Sequence, residues 1–335
     1  MEYDPTIRTA AQLTAEARAQ LEVATPQNFT LSDYLPDRNN ASLDYNFNLN
    51  QLNLSEAASF RAWDVEADFG DTVGSQSVSG KLPPISRKMR VGEYDTLVQQ
   101  IGGSDILGGT LDGYAGRLGN QIGARVELAR GQALETGSVV INEGKLKFTI
   151  SFQRNSSHTV TAATVWSTIT ADVIGDLTTW RAVYVADNGS APTTALISTA
   201  IMTALQKNTG IISAALGRGT DLPSLISQDA VRSVFAAYGF GNIVVNDEQV
   251  TFGGAATRVI NSNKFVWLGS ALGGTDWGVT AESINSKYGI APAERPGVFA
   301  AAFDDNDPEG KYVLASAVVL PVLENANATF VGAVL

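Results

Sequence analysis

The stretch Lys311-Tyr-Val-Leu-Ala-Ser-Ala-Val-Val-Leu-Pro-Val-Leu323 decides the fold. From Tyr312 to Leu323 its residues are apolar almost without interruption, and many are β-branched. A strand with one wet face alternates apolar and polar residues; a strand buried on both faces does not. The run therefore reads as a buried strand. Pro321 has no backbone N–H to give to a ladder, so it marks an edge or the exit of that strand. Gly273-Gly-Thr-Asp-Trp-Gly-Val-Thr280 stands upstream, and a polar turn, Asp304-Asp-Asn-Asp-Pro-Glu-Gly310, leads in. Glu324-Asn-Ala-Asn-Ala328 leads out to a small-residue end, Phe330-Val-Gly-Ala-Val-Leu335. Core-like residues at the last positions predict a tethered end, which is unusual for a chain terminus.

Composition narrows the classes. The 335 residues are enough for two or three compact units, and 44% hydrophobic against 17% charged residues can build a sizeable core. No apolar run approaches the ~20 residues of a membrane helix. The first residues, Met1-Glu-Tyr-Asp-Pro-Thr-Ile-Arg8, show no basic-then-apolar export signal, so synthesis in a cytoplasm is expected. Without cysteine, neither a disulfide nor a thiolate metal site can form. The single histidine, His158, lies in a polar stretch with no nucleophile elbow and reads as an exposed loop or strand residue. A formal net charge of −11 and a pI near 4.6 argue against a broad basic face gripping nucleic acid.

Working outward from the decisive strand, residues 144–154 alternate strictly and predict a strand beside it. Residues 109–136 predict a long helix: Leu111, Tyr114, Ala115, Leu118, Ile122, Val126, Ala129 and Ala133 recur at spacings of three and four, apart from the adjacent pair Tyr114-Ala115. Such a rod is ~40 Å long. Arg117, Arg125, Glu127, Arg130 and Glu135 fall on its other faces, and Gly137 suits its C-cap. Gly113, Gly116, Gly119, Gly123 and Gly131 each weaken it by roughly 1 kcal/mol, so close packing or a required bend must explain them. Residues 58–92 read as a hairpin, its arms 58–69 and 81–92 joined by a Gly/Ser-rich loop; an isolated ribbon of this kind must rest on something. Before it, a short helix is expected over 14–23, closed by Pro26. An Asn-rich segment follows, in which Tyr45, Phe47 and Leu49 alternate as in a strand. Residues 156–305 read as an α/β unit with helices over 193–207 and 227–238 and strands over 243–245, 256–260, 264–268 and 298–303.

Catalytic signals are weak. Residues 74–81 superficially resemble a phosphate loop, but five residues separate the glycines, and Leu82 stands where a hydroxyl residue would hold magnesium. Gly239-Phe-Gly241 reads as a helix-to-strand turn. Asp304, Asp305, Asp307 and Glu309 lack the glycine and distal glutamate of an EF-hand loop and read as a solvated turn.

The Asp-Pro turn at 307–308, the strand after it, Leu320-Pro-Val-Leu323, the Asn-Ala pair that follows, and the Gly-rich Trp277-Gly segment together resemble the C-terminal part of the lambda-type (E family) major capsid proteins of tailed bacteriophages. The resemblance implies the α+β HK97-like capsid fold. Residues 1–55 would be the N-terminal arm, 56–92 the E-loop hairpin, 93–155 the P-domain with its spine helix at 109–136, 156–305 the A-domain, and 306–335 the C-terminal P-domain strand. It implies an icosahedral shell of hexamers and pentamers around double-stranded DNA, in the virion, assembled in the host cytoplasm. It also implies a scaffolding protein, a maturation protease, a portal and, in many relatives, a decoration protein. No cofactor, metal or catalytic residue is implied. Assembly roles fall to Trp63 and Lys81 on the hairpin, Gly119 and Gly123 in the spine helix, and Trp277 and Pro321 near the end. Some shells of this fold weld a hairpin lysine to an asparagine. Lys81, Asn325, Asn327 and Glu324 are the pieces here, yet the lambda-like group is not generally held this way, and Lys81 reads as a solvated or ion-paired residue. The competing readings are an α/β enzyme or binding module built on 156–305, and a tail tube protein.

Overall fold

The computed structural model describes residues 2–40, 42–49, 60, 63, 66, 76–102, 104–144, 146–217, 222–306 and 309–335. The chain opens with β1 (Glu2–Tyr3), α1 (Ala10–Asn28), β2 (Asp37–Asn39), β3 (Asp44–Leu49), β4 (Gln76–Lys81) and β5 (Pro84–Val91). Two helices, α2 (Glu93–Gly102) and α3 (Ser104–Thr136), precede β6 (Ser138–Glu143) and β7 (Leu146–Ser151). The middle runs through β8 (Thr159–Thr161), α4 (Val173–Asn188), β9 (Thr194–Ile197), α5 (Thr199–Lys207), α6 (Thr209–Leu216), α7 (Gln228–Tyr238), β10 (Asn242–Val245), β11 (Gln249–Phe252), β12 (Ala255–Arg258) and β13 (Lys264–Leu268). The end supplies β14 (Gly273–Gly278), α8 (Ala281–Ile284), β15 (Phe299–Asn306), β16 (Glu309–Leu323) and β17 (Thr329–Ala333).

β16 is the axis of a six-stranded sheet ordered β1-β15-β16-β14-β2, with β5 on the other edge of β16. Residues 311–316 are paired on both edges, to β15 and to β5. This explains the missing alternation. Val313, Ala315, Ala317 and Val319 enter a core shared with α1 and α3. Tyr312, Val318, Leu320 and Val322 enter clusters on the opposite side. Beyond Val318 the β5 ladder has ended, and Pro321 sits opposite Thr275 of β14 in a stretch paired on one edge. A residue without an N–H is tolerated there.

The strand over 144–154 does not join this sheet. β7 pairs with β6 in a two-stranded ribbon across the turn at Gly144, whose φ is +56°. The alternation correctly marked a half-buried strand, but local hairpin closure supplied the partner. The second hairpin also differs from expectation. β4 pairs back to β3, and β5 continues past Pro83 to join β16. Two successive prolines, Pro83 and Pro84, break the ribbon from the sheet strand. The expected arm at 58–69 lies outside the described residues except for Phe60, Trp63 and Glu66.

α1 begins at a capping box of Thr9 and Gln12 and runs to Asn28, longer than the helix expected over 14–23. It passes Pro26 and ends with the bond from Phe29 N–H to Thr25 O. It lies on α3 and β15. α3 has 33 residues, starts at Ser104, five positions before the predicted start, and ends on Gly137, whose φ is +66° and whose N–H reaches Ala133 O.

The second sheet is ordered β10-β9-β13-β17-β8. Its core is aromatic: Trp166 stacks on Trp180, Phe265 meets Trp166 and Trp267 edge to face, and Phe330 lies tilted against Trp267. The helix expected over 193–207 starts as β9; Ser198 then caps α5. Ser227 caps α7 as its sequence suggested. Sheet membership does not follow sequence divisions at 155/156 and 305/306. Segment 156–305 gives β14 and β15 to the first sheet, and segment 306–335 gives β17 to the second. His158 is fully buried, not exposed: Nδ1 lies 3.1 Å from Thr329 O and Nε2 2.9 Å from Asp187 Oδ2.

Candidate functional site

Two features organise the spine helix α3. The first is its glycine seam. Gly116, Gly119 and Gly123 recur at three and four residues and face α1. A Cβ at Gly119 would fall on the backbone oxygen of Ala17, closer than 3.0 Å. One at Gly123 would meet Leu21 and, at 2.8 Å, the ring of Phe29. These glycines let two helices approach. Gly131 does the same beneath Val259, and Gly113 has open space around it. Of the two explanations for the glycines, close packing accounts for all five but Gly113.

The second is a buried polar node one turn further on. Glu127 and Arg130 are buried, although the helical pattern had placed both on outer faces. Arg130 Nη1 donates to Glu127 Oε2 at 3.0 Å and Nε to Thr275 Oγ1 at 2.9 Å, while Nη2 is ion-paired with Asp37. Glu127 Oε1 accepts the Leu31 N–H at 2.6 Å. Asp37 also accepts the indole N–H of Trp277 at 2.7 Å, and Thr275 donates to Leu35 O at 2.9 Å. Burial pushes Glu127 up to about 7, opposed by Arg130 and the Leu31 N–H. Nearby Glu248 is also raised by burial, with Thr30 Oγ1 donating to it at 3.1 Å. The node stitches residues 30–37, which lead from α1 into the start of β2, across α3 and onto β14. A charged pair three apart beside Val126 and Ala129 was the available signal; it means a helix covered on more than one side.

The expected assembly residues are not gathered in one place. Trp277 is buried and serves the node. Gly119 and Gly123 lie under α1. Pro321 lies in β16. Trp63 stands 95% exposed and Lys81 is exposed at the end of β4. Asn325 Oδ1 accepts the Ala328 N–H, Asn327 Oδ1 accepts the Asn155 N–H, and Glu324 is ion-paired with Arg38. All three partners of a lysine weld are thus engaged within the chain.

The remaining sequence candidates are structural. Residues 76–81 form a strand, and Gly239 and Gly241 turn α7 into β10 at φ of +70° and +84°. Asp304 shares Lys311 with Asp4. Asp305 lies 3.8 Å from Arg90, and Asp307 is outside the described residues. Among the described residues there is no group of three or more acidic or histidine side chains able to hold a metal, and no helix long and apolar enough to cross a membrane.

Known proteins place this arrangement. The family model of phage major capsid protein E matches residues 9–334. A structure assigned as a prophage capsid protein from E. coli CFT073 aligns with a TM-score of 0.65 at 16% identity, covering 96% of this chain and 99% of that one. A phage-related protein from Bordetella bronchiseptica RB50 aligns with a TM-score of 0.55 at 14% identity, covering 99% and 97%. No curated protein matches. The α+β HK97-like fold expected from the sequence is the observed one. With nearly its whole length matched, the chain belongs to the phage major capsid protein E family and forms the capsid shell of the virion.

Proposed function

We propose that copies of this chain assemble into lambda-like hexamers and pentamers that close an icosahedral shell around double-stranded phage DNA. The observation that carries this reading is the exposure of Phe60 and Trp63, two large apolar side chains between β3 and β4. Phe60 and Trp63 stand in water there, at a cost that an isolated subunit does not recover. The hairpin lies over an adjacent copy, and the sheet carrying β10 to β8 meets neighbours within a capsomer. The segment around β16 and α3 serves as the P-domain, and α1 with residues 30–37 as the arm. A separate scaffolding protein, a maturation protease and a portal act with it, and a decoration protein fits the same class of shell. Assembly takes place in the host bacterial cytoplasm. The net charge of −11 suits a wall along which packed DNA slides. Size-exclusion chromatography with electron microscopy of the purified chain tests the proposal. Closed particles of megadalton mass are expected; a compact monomer at high concentration that turns over a small molecule would overturn it.

A further inference from the structure

A cleft of about 250 Å³ opens between the spine helix α3, the ribbon of β6 and β7, and the start of β5 on β16. Val126 and Ala129 of α3, Val139 and Ile141 of β6 and Leu146 of β7 give it apolar walls. Among the described residues that line it, only Arg125 and Glu143 are charged. Arg125 Nε donates to Glu143 Oε1 at 2.8 Å, so the pair presents no net charge. An apolar cavity of about 150 Å³ already holds benzene. A single aromatic ring therefore fits here.

One wall departs from this apolar character, and two prolines are the cause. Val319 N–H donates to Pro83 O at 3.2 Å. In an antiparallel ladder the opposed residue would return its own N–H to the Val319 carbonyl, and Pro83 has none to give. Pro321, two positions further on, turns its carbonyl to the same edge, beyond the last ladder pair of Val318 with Pro84. On the other edge its neighbour Thr275 directs its N–H to Pro36 O and not to Pro321. Pro83, Val319 and Pro321 all line the cleft. The wall thus carries two backbone acceptors for which the sheet supplies no donor. An acceptor left in that state is costly, and a ligand that brings a donor recovers the cost.

We propose that this cleft binds a small uncharged aromatic molecule carrying one hydrogen-bond donor, with its ring between α3 and β6 and its O–H or N–H on the Val319 or Pro321 carbonyl. The apolar walls hold the ring, the paired charges favour a neutral ligand, and the absent ladder donors select a donor over an acceptor. Because its walls come from α3, β6 and β16, an occupant bears on all three at once and stabilises the folded subunit by mass action.

Phenol and toluene, alike in shape and different in the donor, are the probes. Ligand-observed NMR titration of the unassembled full-length chain should show phenol binding roughly threefold or more tightly than toluene, although toluene leaves water more readily. Phenol should also raise the melting temperature. Pro83→Ala restores an N–H opposite Val319 without filling the cleft, and it should remove the preference for phenol. Ala129→Phe fills the cleft and should abolish binding of both probes. Absence of saturable phenol binding to the unmodified chain overturns the proposal. So does toluene binding as tightly as phenol, or a preference for phenol that is undiminished in Pro83→Ala. Undiminished phenol binding by folded Ala129→Phe would place the ligand elsewhere and overturn it as well; should that variant fail to fold, Pro83→Ala decides alone.

Discussion

At the scale of single residues, the glycine seam makes opposite expectations for neighbouring positions. Gly113→Ala adds a methyl group into open space and should stabilise α3 by up to ~1 kcal/mol through helix propensity. Gly119→Ala gains the same propensity but drives a methyl group into the Ala17 carbonyl, and overpacking of that kind costs about 1–3 kcal/mol. Denaturant unfolding of the unassembled subunit should therefore shift in opposite directions; equal shifts would mean that α1 does not lie where it is seen. Glu127 gives a pH signature. Its folded pKa is raised from 4.5 to about 7, so between those values the folded chain holds more protons than the unfolded one. The contribution is fully present below about pH 4.5 and is lost as pH rises through about 7. Glu127→Gln should flatten the stability curve across that window, measured by thermal melts from pH 4.5 to 8. An unchanged slope would assign the pH dependence to other groups. Arg130→Ala should be far harsher, about 3–5 kcal/mol, because it strands a buried carboxylate.

At the scale of elements, α1 is joined to β15 through one hydroxyl. Thr14 Oγ1 accepts the Ala300 N–H at 3.0 Å and donates to Ala300 O at 3.1 Å. Thr14→Val keeps the shape and leaves two buried backbone groups unpaired, at about 1–3 kcal/mol. Amide exchange in α1 should quicken by at least tenfold while β13 keeps its protection; uniform loss across both would show that α1 does not open separately. Elements with a sustained period were legible before the structure. The α3 pattern held over most of its length because one face is continuously buried, and the unalternating run of β16 announced two buried faces. Caps were legible too, at Ser227 and Gly137, because they are local chemistry. The strand partners were not. β7 and β5 look equally fit to flank β16, and only the turn at Gly144 and the Pro83-Pro84 break assign them. Glu127 and Arg130 were misplaced because a helix wheel shows the richest apolar face and says nothing of a second covering by residues 30–37.

At the scale of the whole molecule, the two sheets exchange strands, which no reading of segments in order would show: β14 and β15 return to the first sheet before β17 closes the second. The chain ends are thereby tied into both cores, and the fold resists separation into independent parts. Charge is distributed less evenly than the total suggests. Against a net −11, the stretch from Gln76 to Gly92 carries Lys81, Arg87, Lys88 and Arg90 and no acidic residue. Two forces then oppose each other when subunits meet. Like-charged bodies repel over long range, and that repulsion is screened first, since the Debye length falls from about 30 Å at 0.01 M to about 8 Å at 0.15 M salt. Contacts between the basic stretch and acidic neighbours act at short range and lose less. Assembly followed by light scattering should therefore speed up as sodium chloride rises from 10 to 150 mM. A steady slowing over that range would mean that attraction from the basic stretch, not the repulsion of the whole, governs the approach of one copy to the next.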